Sequence, residues 1–322
     1  MLENQGSIYI SRLLYTFYRK YGIVIVFIIL FVLSALLSPN FLKPQNLINI
    51  VRQNCPTIIL ACGMTMLIIS GFIDLSGGMV LAMSGCFASG VMARFNSLPL
   101  AFLIGIGSAA TLNYISGTLI TVFKLPAFIA TLAMMNIASG IMQVYTQGQP
   151  VVGVGIMAFM GQGHIGPIPF PIILMLSLMV ITWVVLKKTK FGLSVYAIGG
   201  NMKASVASGI NVKRMIRRFY LYHGIMVGIA GIVLMGRLNS GHPSVGVGYE
   251  FDAITAVVVG GTSFTGGVGN IYGTLVGSLI VGMINNIFVL LNVPTQYQLI
   301  MKGIIIAGAV VLDLHTRGAK KQ

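Results

Sequence analysis

The sequence predicts an all-α polytopic membrane protein with about ten transmembrane helices. Three observations carry this. First, 56% of the 322 residues are hydrophobic and only 8% are charged, against about 25% charged in a soluble domain. Second, the mean hydropathy is +0.93. Third, apolar segments of 17 or more residues recur along the chain, each long enough to cross a hydrocarbon core about 30 Å thick. The runs do not alternate with a period of two, which excludes an outer-membrane barrel.

Taken in order, the spans fall at 22–38, 54–72, 77–95, 98–122, 126–145, 169–186, 219–238, 253–268, 271–291 and 296–313. The first follows Arg12, Arg19 and Lys20. It reads as a retained span, since it is long and lacks a clear cleavage site. Segment 41–53, with Leu47, Ile50 and Val51 at helical spacing, reads as an amphipathic stretch lying along the outer surface. The glycine- and proline-rich segment 146–169 reads as an outer loop. Its apolar part, Val151 to Met160, is expected to tuck against the protein, because lipid-exposed irregular backbone would leave polar groups unsatisfied. The whole chain reads as one transmembrane domain: an N-terminal segment 1–21, six spans over 22–186, a loop 187–218, four spans over 219–313 and a tail 314–322.

The net charge is +15. Nucleic acid is rejected as a partner, because the basic residues sit at span ends, as the positive-inside rule requires. An even number of spans puts both termini on one side. With that side cytosolic, the inner segments hold Arg12, Arg19, Lys20, Lys124, eight residues of the 187–218 loop, Arg317, Lys320 and Lys321. Outer segments and span ends hold Lys43, Arg52, Arg94 and Arg237, while Lys302 falls within the last span. This predicts an N-in, C-in chain. Tyr15, Tyr18 and Tyr21 before the first span, and Trp183 near the end of the sixth, suit the interfacial depth that amphipathic rings prefer.

The 187–218 loop contains no Asp or Glu. Asn201 is placed to cap a short helix, Met202, Val206 and Ile210 recur at steps of four as an apolar stripe, and Gly209 is placed to end the helix. The expectation is a compact cytosolic knob on which something outside the membrane pushes. Gly224 and Gly228, and likewise Gly273 and Gly277, are four apart. Small residues at that spacing let membrane helices approach closely, and packing within the chain is expected rather than a dimer seam. GFIDLSGG at 71–78 and GGTSFTGG at 260–267 share a Gly-x5-Gly-Gly frame that sets Ser76 opposite Thr265. Both read as inner turns of a parallel internal repeat.

The acids are Glu3, Asp74, Glu250, Asp252 and Asp313. Only Asp74 reads as close to the hydrocarbon, where an acid needs a reason to be kept. One reason is a proton or cation relay. The favoured one is capping, with Asp74 or Ser76 satisfying the first N–H groups of the third span. Glu250 and Asp252, before the eighth span, and Arg237, ending the seventh, read as outer-face residues that either contact an outside partner or are simply solvated. The histidines His164, His223, His242 and His315 are scattered. No HExxH, GxSxG or Walker A sequence occurs, so an enzyme and a nucleotide site of its own are not expected. Cys55, Cys62 and Cys86 read as small packing residues, with no metal or cofactor set.

The segments YAIGGNMKASVASGINVKR (196–214) and GYEFDAITAVVVGGTSFTGGVGNIYGTLVGSLIVGMINN (248–286) closely resemble the permease subunits of bacterial ABC importers for ribose and related monosaccharides. GFIDLSGGMVLAMSG (71–85) and LPAFIATLAMMNIASGIMQVYTQGQP (125–150) resemble further stretches of that family, so the likeness runs from about residue 40 to residue 313. It implies a second permease subunit, identical or paralogous, a cytosolic ATP-hydrolysing subunit, and a soluble sugar-binding protein outside, all at a bacterial inner membrane. It also implies that Gly199, Gly200, Asn201, Met202, Ala204, Val206, Ser208, Gly209 and Ile210 form the element that docks on the ATPase. The sequence departs from the family pattern where Met202 and Lys203, not acids, follow GGN. Candidate pathway residues are the polar ones within spans: Asn113, Thr131, Asn136, Ser139, Asn285 and Asn286. Each also reads as interhelical hydrogen bonding. The related branched-chain amino acid permeases and an ion-coupled carrier stand as alternatives.

Overall fold

The computed structural model describes residues 22–318, and for residues 306, 309, 310 and 312–318 it describes the backbone alone. The N-terminal segment with its interfacial tyrosines, Glu3 and the basic residues before the first span, together with Lys320 and Lys321, lie outside the described residues.

The chain is built on helices: α1 (Gly22–Leu37), then α2 (Pro44–Ile69), α3 (Gly77–Phe95), α4 (Leu98–Thr121), α5 (Ala127–Thr146), α6 (Phe159–Gln162), α7 (Phe170–Lys188), α8 (Lys190–Gly200), α9 (Met202–Ala207), α10 (Val212–Leu238), α11 (Tyr249–Val259), α12 (Ile271–Leu290) and α13 (Thr295–Gly318). Among the described residues six of these, α3, α4, α5, α7, α10 and α12, are long and apolar enough to cross a membrane. A single two-stranded hairpin pairs His164 with Pro169 and Ile165 with Ile168.

The centre is α2. Every residue from Asn54 to Ser70 is buried, as expected of a helix that is apolar all round. It packs with α3 and α10 in one continuous core that includes Ile58, Leu60, Met64, Leu81, Val227 and Leu234. Helices α4, α5 and α7 bury only about a third of their apolar windows and form the outer layer. The close approaches use the paired glycines. A Cβ at Gly224 would lie 2.7 Å from the Asn113 Cβ on α4, and one at Gly228 would lie 2.7 Å from the Ile106 Cα. Gly273 and Gly277 of α12 meet Gly260 and Ala256 at the end of α11. Both seams are internal to the chain, as the sequence predicts. Segment 146–169 also packs inward: Val154 and Met157 are buried, and Val151 exchanges both backbone hydrogen bonds with Gly241 at 2.8 Å.

Two predicted elements are corrected. Residues 44–53 do not form a separate element; they are the opening turns of α2, continuous with the buried part through Pro56. The eighth span does not run from 253 to 268. Its helix starts earlier, at Tyr249, and ends at Val259, where Gly261 takes φ +83°. At 1.5 Å per residue such a helix is roughly 16 Å long, about half a hydrocarbon core. The apolar run hides this end because VVVGGTSF stays hydrophobic up to the glycines that stop the helix.

Candidate functional site

The first site is the α8–α9 pair. Thr189 caps α8 by accepting the Gly192 N–H at 3.1 Å. The helix then buries Val195 and Ile198 against Met66, Ile69, Ile216 and Phe219. Sequence reasoning missed α8; a threonine three residues before a glycine, following a lysine pair, was the available signal. Asn201 caps α9, its Oδ1 accepting the Ala204 N–H at 3.0 Å. The Ser205 hydroxyl turns inward and donates to the Asn201 carbonyl at 2.9 Å. Met202 and Val206 stand 43% and 59% exposed. Gly209 takes φ +81°, and the Ile210 N–H returns to the Ser205 carbonyl, so Ile210 packs on the core. The predicted three-residue stripe is therefore corrected to two outward residues and one inward. Ala204, Ser208 and Gly200 lie on exposed backbone around the pair.

Gly199 joins this pair to the core. A Cβ there would overlap the Ile69 carbonyl oxygen at the end of α2 and lie 2.6 Å from the Gly267 nitrogen. The Gly267 N–H donates to that same Ile69 carbonyl at 2.7 Å. Tyr196 completes the junction, its hydroxyl donating to the Gly269 carbonyl at 3.0 Å. So three segments meet at one point: the end of α8, the end of α2 and the 260–270 turn.

From Ile69 the chain turns through Gly71, φ +83°, to Asp74. The side chain is fully buried. Its Oδ1 accepts the Ser76 N–H at 2.7 Å and the Ser76 hydroxyl at 2.6 Å. Its Oδ2 pairs with His223 Nε2 on α10 at 3.0 Å. One turn earlier on α10, the Tyr220 hydroxyl donates to the Ile73 carbonyl at 2.8 Å. Asp74 thus serves the turn before α3 and ties it to α10; no side chain caps the first helical N–H groups of α3. Sequence reasoning counted His223 among scattered histidines. The signal it passed over was a lone histidine inside a span, three residues after a tyrosine.

Asp74→Asn keeps an acceptor for Ser76 and, with the imidazole proton on the unpartnered Nδ1, donates its Nδ2 to His223 Nε2, so it is expected to be mild. Asp74→Leu leaves His223 and Ser76 without their buried partner, at a cost of about 1–3 kcal/mol for each unsatisfied group. Thermal melting of the purified membrane protein checks the difference.

The two glycine frames share geometry, with one adjustment. Gly71 and Gly261 have the same φ of +83°, and both turns repeat the same pattern of backbone bonds: Gly71 N–H to Ile68 and Phe72 to Leu67, Gly261 to Val258 and Thr262 to Val257. The helix ends therefore align Gly71 with Gly261, one residue off the sequence frame. The side-chain pairs keep that frame: Asp74 accepts from Ser76, and Ser263 Oγ accepts the Thr265 N–H at 3.3 Å.

The second site is a cavity of about 340 Å³ between the start of α3, the face of α5 and residues 247–251. Leu75, Met79, Leu132, Met135, Val247 and Phe251 make it largely apolar, and Asn136, Ser139 and Glu250 are its polar groups. Asn136 donates to the Leu132 carbonyl, and Gln143 donates to the Ser139 hydroxyl. This polar stripe lies on an outward face of an apolar helix, where contact with lipid would be unfavourable. The other pathway candidates lie elsewhere. Asn113 and Thr131 are buried and bond to carbonyls of their own helices. Asn286 exchanges two hydrogen bonds with Asn46, joining α12 to α2. Asn285 donates to Asp252 at 3.5 Å.

The acids expected at the outer face are corrected on burial. Glu250 is 3% exposed. Asp252 pairs with Lys302 of α13 at 2.9 Å. Arg237 does lie at a helix end, donating to the Gln53 carbonyl at 2.9 Å. Among the described residues no three His, Cys, Asp or Glu side chains cluster so as to hold a metal ion.

This is a helical membrane protein with an exposed apolar pair, Met202 and Val206, on α9 and a largely apolar cavity that carries a few polar groups. The chain belongs to the family described as "Branched-chain amino acid transport system / permease component", which matches residues 46–310. It is 44% identical over 298 residues to the ribose import permease protein RbsC of Bacillus subtilis strain 168, covering 92% of each chain. It is 40% identical to the ribose import permease protein RbsC of Haemophilus influenzae, covering 92% of this chain and 93% of that one. It is 36% identical to the D-allose transport system permease protein AlsC of Escherichia coli K12, again covering 92% of each. No solved structure matches the chain.

Proposed function

We propose that this chain is the permease subunit of a binding-protein-dependent ABC importer for ribose or a closely related monosaccharide. The observation that carries this reading is the 44% identity to a ribose import permease across 92% of both chains. The same likeness favours a sugar over a branched-chain amino acid, although the matching family model carries the latter description.

In this reading the chain crosses a bacterial cytoplasmic membrane ten times, through α1 to α5, α7 and α10 to α13, with both termini inside. A second permease subunit, identical or paralogous, faces it across the pathway. A soluble sugar-binding protein delivers the solute from outside, and a cytosolic ATP-hydrolysing subunit docks on α8–α9. The exposed Met202 and Val206 supply an apolar anchor for that docking. Closure of the ATPase would bind one position of the α8–α9 pair better than the other, and only such differential binding shifts a two-state protein. The junction at Gly199 hands the movement to α2 and to the 260–270 turn, and so to the walls of the cavity. The polar stripe of Asn136 and Ser139 suits a neutral hydroxylated solute.

The test is uptake of D-ribose into vesicles holding the chain with its ATP-binding subunit and binding protein. Uptake is expected to require ATP and to vanish when the ATP-binding subunit is omitted. Gradient-driven uptake by the chain alone would favour the carrier reading, for which the buried Asp74–His223 pair is the nearest support.

A further inference from the structure

We infer that Lys187 and Lys188, at the end of α7, form a binding site for the headgroup of an anionic phospholipid. The inference needs only that α7 spans the membrane, so it goes beyond the permease reading and does not depend on it.

The exposed face of α7 leads to these lysines. Leu176, Val180, Ile181 and Val184 are each at least 40% exposed, and helical spacing carries their stripe on to Lys187 and Lys188, which are exposed in the last turn. An apolar stripe on a spanning helix is where acyl chains pack, so the headgroups of those lipids lie at its end. Two aromatic rings mark that depth. Trp183 packs on Tyr272 of α12 with ring centroids 6.4 Å apart, and Tyr272 is exposed; such rings settle at the headgroup level. Each ammonium also lies over a ring. Lys188 Nζ is 6.0 Å from the centre of Trp183, and Lys187 Nζ is 5.6 Å from the centre of Tyr196, within reach of cation–π attraction. Tyr196 is itself anchored through its hydroxyl to the Gly269 carbonyl. The two charges are thus placed together at the end of the apolar stripe.

No carboxylate among the described residues neutralises them. Asp74 pairs with His223, Asp252 pairs with Lys302, and Glu250 is buried; Glu3 and the side chain of Asp313 lie outside the described residues. Positive charge at a span end is enough to orient a chain, but orientation does not require cations seated over interfacial rings. The ligand that fits carries negative charge at headgroup depth and lays acyl chains along an apolar helix face, which describes an acidic phospholipid. An acidic protein surface would answer the charge and leave the apolar stripe unused. Each basic residue beside an anionic membrane surface strengthens the attraction about fivefold.

The experiment titrates the purified full chain in detergent with palmitoyl-oleoyl phosphatidylglycerol, and separately with palmitoyl-oleoyl phosphatidylcholine, reading bound lipid by native mass spectrometry. The unmodified chain is expected to hold the anionic lipid at least about tenfold more tightly. Lys187→Gln with Lys188→Gln is expected to lose at least about tenfold of that affinity, and Lys187→Arg with Lys188→Arg to keep most of it. Lys203→Gln with Lys213→Gln removes the same charge from exposed positions on α9 and at the start of α10, and is expected to stay within about twofold of the unmodified chain. Equal loss in the two Gln pairs overturns the site, because it would mark diffuse charge alone. Equal affinity of the unmodified chain for the two lipids overturns it as well. Suppression of phosphatidylglycerol binding by an equal concentration of inorganic phosphate would assign the lysines to a free anion and overturn the lipid. If Lys187→Gln with Lys188→Gln keeps the lipid and instead loses the ATP-binding subunit on co-purification, the lysines belong to a protein interface and the assignment falls. The lipid titration contains no sugar, ATP or partner subunit, so its failure and that of the ribose uptake test are distinct.

Discussion

Gly199→Ala is expected to abolish ATP-driven uptake while the chain still inserts in the membrane. The added methyl would overlap the Ile69 carbonyl and crowd the Gly267 nitrogen, both of them backbone atoms. Overpacking against movable side chains costs about 1–3 kcal/mol. Here neither neighbour can rotate away, and the Gly267 N–H to Ile69 carbonyl bond lies in the direct path. Relief requires α8 to lift from the end of α2 and from the 260–270 turn, which would disconnect the proposed docking element from α2. Gly200→Ala is the matched control, since nothing lies within 4 Å of a Cβ there. Its uptake should stay near that of the unmodified protein. Equal loss in both variants would show that the junction is not the reason.

The second large effect is expected at the docking face. Met202→Asp with Val206→Asp places two carboxylates where an apolar partner surface is proposed. Both residues are exposed, so the chain itself should fold and insert as before. Loss of central apolar anchors at an interface costs about 2–4 kcal/mol or more, which is roughly a 30-fold to 1,000-fold loss of affinity. Uptake should fall accordingly, while ATP hydrolysis by the partner becomes insensitive to the loaded binding protein. Ile210→Asp would differ in kind, because Ile210 faces the core and its replacement destabilises the chain itself.

The fold was legible where the membrane dictates it. Apolar runs had to be helices, and each of the ten predicted segments carries one. The misreadings have local causes. Residues 44–53 carry Gln45, Asn46, Asn49, Arg52 and Gln53, so they read as a wet surface helix, although Asn46 is satisfied within the protein by Asn286. Helix α11 ends inside an apolar run, where hydropathy gives no boundary. In α9, the cap at Asn201 and the stop at Gly209 follow from residue type alone. The turning of Ile210 away from Met202 and Val206 does not, because a left-handed glycine breaks the period that made the stripe. The Asp74–His223 pair joins residues 149 apart, and no spacing rule reaches that far. Glu250 was misplaced for the opposite reason: an acid just before a span looks solvated, and only the contact with Gly78 shows it buried.

The central claim is that energy enters through the α8–α9 face. Labelling of Val206→Cys with a membrane-impermeant maleimide tests it directly, in inside-out vesicles with and without the ATP-binding subunit. The native cysteines 55, 62 and 86 are all buried, so the signal reports position 206. The account predicts ready labelling of the chain alone and strong protection in the assembled importer. Equal labelling in the two states would contradict it.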